Sequence, residues 1–217
     1  MHVKMKNISS AVPLIFTIIG YSLNGSFVIY RFVKLENYFL KALFLIMVVE
    51  YIIWSIWEIK ITLSELKLES AQKDSFTLEL AGIIKNYMLV GALVGTATIH
   101  FYAWSIGISI MSAGILLRVA AVKAIGPSYS HRIREIKGRP VTTGPYKIIR
   151  HPSYMGTLLI HTGLVTILFN PFSLTGLILW YCNAIYRIMV EEKQLCKNTY
   201  YVEYTENTEH RLIPWIW

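Results

Sequence analysis

Residues Arg118 to Gly156 read RVAAVKAIGPSYSHRIREIKGRPVTTGPYKIIRHPSYMG, the one long polar interval in an otherwise apolar chain. Between Arg118 and Arg150 it carries eight Lys/Arg against one acid, Glu135, so a net +7 of the chain's +8 sits here. Its most chemical part is Gly144-Pro145-Tyr146 followed by Arg150-His151-Pro152-Ser153-Tyr154. Apolar runs precede it, and an apolar hairpin and a charged tail follow. The interval reads as the floor of a membrane-embedded active site.

Working outward, composition sets the class. Hydrophobic residues make up 54% of 217 and charged residues only 16%, with a mean hydropathy of +0.47. That balance lies above a soluble domain's. Six Trp and fourteen Tyr are the residue types that collect at membrane interfaces. Two cysteines, Cys182 and Cys196, supply neither a disulfide framework nor a CxxC pair, and no metal site is expected. The fold class is all-α, a polytopic membrane bundle.

About six spans are expected, because a bilayer core of about 30 Å takes roughly 20 helical residues. The runs are Val12 to Phe32, Tyr38 to Trp57, Leu78 to His100, Tyr102 to Ala121, Ser153 to Phe169 and Phe172 to Val190. The first is long for a signal h-region and lacks an Ala-x-Ala site, so it reads as a retained span. Glu50 lies inside the second run, where an ionisable group usually faces a partner or a wet cavity; its plainer reading is a helix-packing hydrogen bond. Ile59 to Phe76 reads as a charged surface helix or loop. In the third and fourth runs, Gly91-x-x-x-Gly95, Gly107, Ser109, Ser112 and Gly114 suit close helix packing. Lone His100 reads as interfacial. Asn170-Pro171 is a turn signal, with Pro171 suited to the first turn of the next helix.

Orientation follows from charge. The positive-inside rule puts the basic floor in the cytoplasm, and an even number of spans places both termini there too. Arg31, Lys34 and Lys41 fall on the other side and do not outweigh it. Residues 1–117 are then membrane helices and 118–217 a catalytic core, in one integrated domain.

The last run carries a polar stripe. Asn183, Arg187 and Glu191 recur every four residues and share one helix face, which Trp180 extends one way and Gln194 the other. Opposite it, Tyr154, Thr157 and His161 step by three and four. Such stripes in a membrane imply a polar cavity between two helices; an Arg187–Glu191 ion pair that only ties the bundle is the plainer alternative. The tail after Glu192 is too polar to span. Its end, Arg211-Leu212-Ile213-Pro214-Trp215-Ile216-Trp217, reads as an anchor that folds it back over the cavity.

These residues bring a family into view. From Arg118 to Pro214 the chain resembles the isoprenylcysteine carboxyl methyltransferases. The likeness lies in Leu117-Arg118 with Ala120-Ala121, Gly126, Tyr129-x-His131 and Val141-Thr142-Thr143-Gly144-Pro145-Tyr146. It continues through Arg150-His151-Pro152-Ser153-Tyr154-x-Gly156, Asn170-Pro171, Glu191-Glu192, Tyr201-x-x-Tyr204 and Arg211-x-Ile213-Pro214. It covers nearly half the chain. One departure is Asn198-Thr199-Tyr200, where the family has Phe-Gly before Tyr-x-x-Tyr.

The resemblance implies an integral membrane enzyme using S-adenosylmethionine. It implies that His131 and Tyr146 hold the amino-acid end of the cofactor. His151 and Tyr154 would line its channel with Gly144, Pro145 and Pro152, and Glu191 or Glu192 would reach the ribose. Charge placement makes Glu191 the expected partner of Arg187 and Glu192 the cofactor contact. The acceptor would be a prenylated cysteine entering sideways from the bilayer. Methyl transfer from a sulfonium to a carboxylate destroys charge, which suits a water-poor cavity. A carboxylate is ionised at neutral pH and needs no base, so Arg118, Arg150 or Arg187 would only orient it. Catalytic roles therefore fall to Arg187, Glu191 and Arg118.

Three alternatives are weighed. A phospholipid amine methyltransferase shares the C-terminal pattern but requires a base such as Glu192 or Glu50. A nicotinamide-dependent sterol reductase ends in a similar helical arrangement. A non-enzymatic scaffold leaves the polar stripe without a purpose. Nucleic acid is not an expected partner, since topology and anionic lipid head groups explain the basic floor.

Overall fold

The structure is a computed structural model and describes residues 24–65, 77–95, 101–133, 136 and 138–217. These form helices and loops, with no strand among the described residues. Residues 24–34 form α1, followed by α2 (Tyr38–Glu65), α3 (Thr77–Val94) and α4 (Phe101–Ile125). After the polar floor come α5 (Pro152–Ile167), α6 (Pro171–Leu195) and the short α7 (Thr199–Asn207).

Contacts give the helix directions. Phe44 meets Trp104, Glu50 meets Ser112 and Glu58 meets Arg118, so α2 and α4 run parallel. Helix α5 returns antiparallel to α4 along paired glycines. A Cβ on Gly107 would lie 2.7 Å from the Gly163 carbonyl oxygen, and one on Gly114 2.7 Å from that of Gly156. Only glycine permits so close an approach, and it sets the N-terminus of α5 beside Arg118. Helix α3 lies antiparallel to α6, with Met88 against Gly176 and Gly91 against Phe172. The C-terminal ends of α2, α4 and α6 therefore gather with the start of α5, on the side of the polar floor.

Local sequence explains the ends. Asn170 caps α6 by accepting from the Phe172 and Ser173 amides at 3.0 and 3.1 Å, with Pro171 in the first turn as expected. The expected close packing at Gly91-x-x-x-Gly95 is present, with the Asn170 amide donating to the Gly91 carbonyl at 3.0 Å.

Some expectations are revised. No Gly or Pro interrupts residues 38–65, so the charged stretch from Ile59 does not break away. It continues α2 as far as Glu65. Residues 66–76, His100 and most of the first apolar run lie outside the described residues. Helices α2, α3, α4 and α6 are long and apolar enough to cross a membrane. Helix α5 has 16 residues, about 24 Å, which is short of a bilayer core. Ten of those residues are buried in the bundle, so it serves as the interior helix on which the site is built.

Candidate active site

Two charged clusters define the site. In the first, Glu58 at the end of α2 takes Arg118 of α4 in a bidentate pair, at 2.7 Å to Nε and 3.0 Å to Nη2. The Trp54 indole N–H, one turn back, also donates to this carboxylate at 2.9 Å. Arg118 spends its remaining donors on the Ser153 carbonyl at 3.1 Å, on the Ser153 hydroxyl and toward His131 Nδ1 at 3.4 Å. A guanidinium can only donate, so Nδ1 accepts. The proton of a neutral imidazole then sits on Nε2, 3.3 Å from Glu58 Oε2. Tyr129 closes the group, with its hydroxyl 3.0 Å from that of Ser153 and its ring 5.5 Å under the Arg118 guanidinium. Burial raises the Tyr129 phenol above its ordinary value, against the pull of Arg118, which keeps it neutral.

The second cluster surrounds Glu192. One carboxylate oxygen accepts from Arg150 Nε at 2.8 Å and lies 3.2 Å from His151 Nε2; the other accepts from Arg211 Nε at 2.5 Å. Arg150 also donates to the carbonyls of Thr208 and Glu209. The tail returns against the floor as expected, through Arg150 N–H to His210 O and His151 N–H to Arg211 O, both at 2.9 Å. Leu212 then buries itself beside Leu158, Ala184 and Ile188.

Gly144-Pro145-Tyr146-Lys147 forms a short 3-10 turn. Gly144 has φ +60, a conformation glycine adopts without strain. Pro145 stiffens the turn, and Tyr146 is buried. Tyr204 of α7 donates its hydroxyl to the Tyr146 carbonyl at 2.5 Å. Burial pushes the Tyr204 phenol up to about 12, so it stays a donor across the physiological range. The Asn198 departure has a structural purpose. Its side chain caps α7 and also donates to the carbonyls of Ile136 and Gly138, tying tail to floor.

The two stripes do face each other. Tyr154 donates to Glu191 at 2.8 Å, and the His161 and Trp180 rings lie 4.6 Å apart. His161 is fully buried, its Nδ1–H directed to the Thr157 carbonyl at 2.9 Å. Pro152 opens α5 between His151 and Ser153.

Other expectations shift. Arg187 donates to the Thr77 hydroxyl and the His131 carbonyl, each at 2.7 Å, while Glu191 takes Tyr154; these bonds replace the expected Arg187–Glu191 pairing. The reason is reach: the helix turn puts Glu191 over α5, and Arg187 toward α3 and the floor. Glu192, expected at the ribose, is contacted by Arg150, His151 and Arg211. Arg118 has all five N–H groups directed to Glu58, Ser153 and His131. Glu50 shows the plainer behaviour, accepting from Ser112 at 2.9 Å.

Sequence reasoning passed over Glu58, Ser153 and the Tyr129 hydroxyl. The stripe Glu50-Trp54-Glu58, spaced by four, was the available signal for the first.

Comparison with known proteins follows this geometry. The model of the isoprenylcysteine carboxyl methyltransferase family matches residues 105–197. Protein-S-isoprenylcysteine O-methyltransferase B of Arabidopsis thaliana is 34% identical over 148 residues, 60% of this chain and 75% of that protein. The A form from the same plant is 33% identical over 115 residues, 50% of this chain and 58% of that one. Protein-S-isoprenylcysteine O-methyltransferase of Saccharomyces cerevisiae is 36% identical over 106 residues, 46% and 44% of the two chains. The matched segment holds Arg118, His131, the Gly144–Tyr154 run and the Glu pair, and the chain belongs to the isoprenylcysteine carboxyl methyltransferase family.

Proposed function

We propose that this integral membrane protein transfers a methyl group from S-adenosylmethionine to the carboxylate of a prenylated cysteine, at a site opening to the cytoplasm. The observation that carries the reading is the convergence of the Gly144–Tyr146 turn, the Arg150–Tyr154 run and the Glu191-Glu192 pair under one folded-back tail.

The residues present fit such a donor. Asn183 Oδ1 on the α6 stripe and the Tyr201 hydroxyl on α7 are two of the buried polar atoms with no hydrogen-bond partner among the described residues. Buried polar atoms are seldom left so, and each would suit a ligand that bears hydroxyls or an ammonium. When bound, S-adenosylmethionine supplies an electrophilic methyl on a sulfonium. Tyr146, His151 and Tyr154 would line its channel. Gly144, Pro145 and Pro152 shape the backbone there, and Asn183 and Tyr201 would offer the open polar contacts. Glu192 supports the channel through His151 and Arg150. His131 acts as a wall held by Glu58 and Arg118, with Glu191 keeping Tyr154 in place.

A carboxylate acceptor asks the protein for orientation and exclusion of water, not for a base. Arg187 on the polar stripe is assigned to orient it as a buried positive charge, its Nη1 and Nη2 being held by Thr77 and the His131 carbonyl. Of the two carboxylates that could act as base toward an amine, Glu192 accepts from Arg150 and Arg211, and Glu50 accepts from Ser112. The acceptor's lipid chain would lie along the apolar flanks of α5 and α6, reached from the bilayer, and the basic floor would face anionic lipids.

Calorimetry on the detergent-purified protein tests the cofactor. Binding of S-adenosylmethionine, or of its demethylated product, with no binding of NADPH is expected. NADPH binding alone would contradict the enzyme class.

A further inference from the structure

We infer that Glu58 is a positioning residue of the methyl-donor site, supplied by a helix outside the family-matched residues 105–197 and acting through Arg118 and His131. The inference rests on the methyltransferase reading above and adds a residue to it.

A purely architectural ion pair joins two elements. Glu58 governs four. Its two oxygens fix the Arg118 guanidinium on α4, and one of them faces His131 Nε2 on the floor at 3.3 Å. Through Arg118 it holds both the carbonyl and the hydroxyl of Ser153, at the first turn of α5. Through Ser153 it reaches the Tyr129 hydroxyl. Ser153 lies between His151 and Tyr154, so any displacement of Arg118 moves the start of the run assigned to the donor. His131 and Tyr129 move with it, since their rings meet edge to face at 5.5 Å.

Glu58 is itself held. The Trp54 indole N–H pins one oxygen at 2.9 Å from the preceding turn, so the carboxylate enters the network in a fixed rotamer. Its side chain is 15% exposed and that of Arg118 is 8%, and at such burial geometry rather than bulk screening sets the pair's behaviour. A donor site built on this network has one of its supports in α2, outside the family-matched residues 105–197.

The test uses full-length protein in detergent with four forms: wild type, Glu58→Gln, Glu58→Asp and the double variant Glu58→Met/Arg118→Met. An ion pair replaced on both sides by apolar residues of similar volume is often neutral for stability, so the double variant keeps the fold while removing the network. Three quantities are measured: thermal unfolding midpoint, calorimetric Kd for S-adenosylhomocysteine, and KM for donor and acceptor separately. Glu58→Gln is expected to weaken donor binding by about tenfold or more, the scale of a lost charge-assisted bond, with acceptor KM within about twofold. Glu58→Asp, which keeps the charge, should recover part of the affinity. The double variant should regain the unfolding midpoint within about 4 °C yet keep the weakened donor binding.

If the double variant regains both midpoint and donor Kd, Glu58 is architectural only and the inference is overturned. A loss confined to acceptor KM overturns it as well. Absence of donor binding to the wild type would instead sink the methyltransferase reading, and this inference with it.

Discussion

The two carboxylate clusters, around Glu58 and around Glu192, use similar chemistry for different ends. Glu58 faces one arginine with both oxygens, between two membrane helices, and its partners sit on α2, α4 and the floor. Glu192 faces two arginines and His151, and one of the arginines, Arg211, belongs to the tail and has a side chain 39% exposed. The first cluster fixes elements that must already be in place when the bundle forms. The second fastens a tail onto a finished bundle. The difference shows where a membrane enzyme puts rigidity and where it can allow opening.

The largest expected effect lies in the first cluster. Glu58→Ala leaves the Arg118 charge buried without its carboxylate, and such a break typically costs about 3–5 kcal/mol. Thermal unfolding in detergent should show it as the strongest destabilisation among these variants. Equal loss for the two clusters would break the comparison.

Glu192→Ala comes next. Arg150 keeps the Thr208 and Glu209 carbonyls as acceptors, so about 1.5–3 kcal/mol, the worth of hydrogen bonds to a charged group, is expected. The readout is hydrogen exchange at the Arg150 and His151 amides, which donate to the tail carbonyls. Faster exchange there, with α4 and α5 unchanged, supports a tail fastener. Protection lost throughout the bundle would mean that the two clusters do the same work.

Arg211→Ala is the smallest. Its guanidinium is partly solvated and lies 5.5 Å from the Trp217 ring. An exposed pair of this kind contributes roughly 0.2–1 kcal/mol. A small shift in unfolding with faster exchange in residues 208–217 is expected. A shift as large as that of Glu192→Ala would place Arg211 at the centre of the cluster rather than at its rim.

How much the sequence revealed follows the same division. The motifs that make up the Glu192 cluster, Arg150-His151-Pro152, Glu191-Glu192 and Arg211-x-Ile213-Pro214, are legible, but their mutual pairing is not, since it joins segments far apart in the chain. The polar stripes on α5 and α6 were legible from spacing alone, and Tyr154 does meet Glu191. The Asn170-Pro171 turn was legible because its chemistry is local. Glu58 lies on a legible stripe, Glu50-Trp54-Glu58, but its pairing does not show there, because its partner is sixty residues away and the register between α2 and α4 is set by packing. The Gly107/Gly163 and Gly114/Gly156 pairs are half legible, since small residues on α4 say nothing of which helix approaches. Arg187's partners were misjudged because spacing of four on one helix suggests a pair, while neighbouring elements offered Thr77 and the His131 carbonyl.

The central claim is carboxyl methylation, and the form of the product tests it most directly. Purified protein is incubated with S-adenosylmethionine labelled in the methyl group and with N-acetyl-S-farnesylcysteine or an aminolipid, and the lipid product is treated with mild base. The account predicts label on the farnesylcysteine that base releases as volatile methanol, as an ester must. Base-stable label carried only by the aminolipid would contradict it.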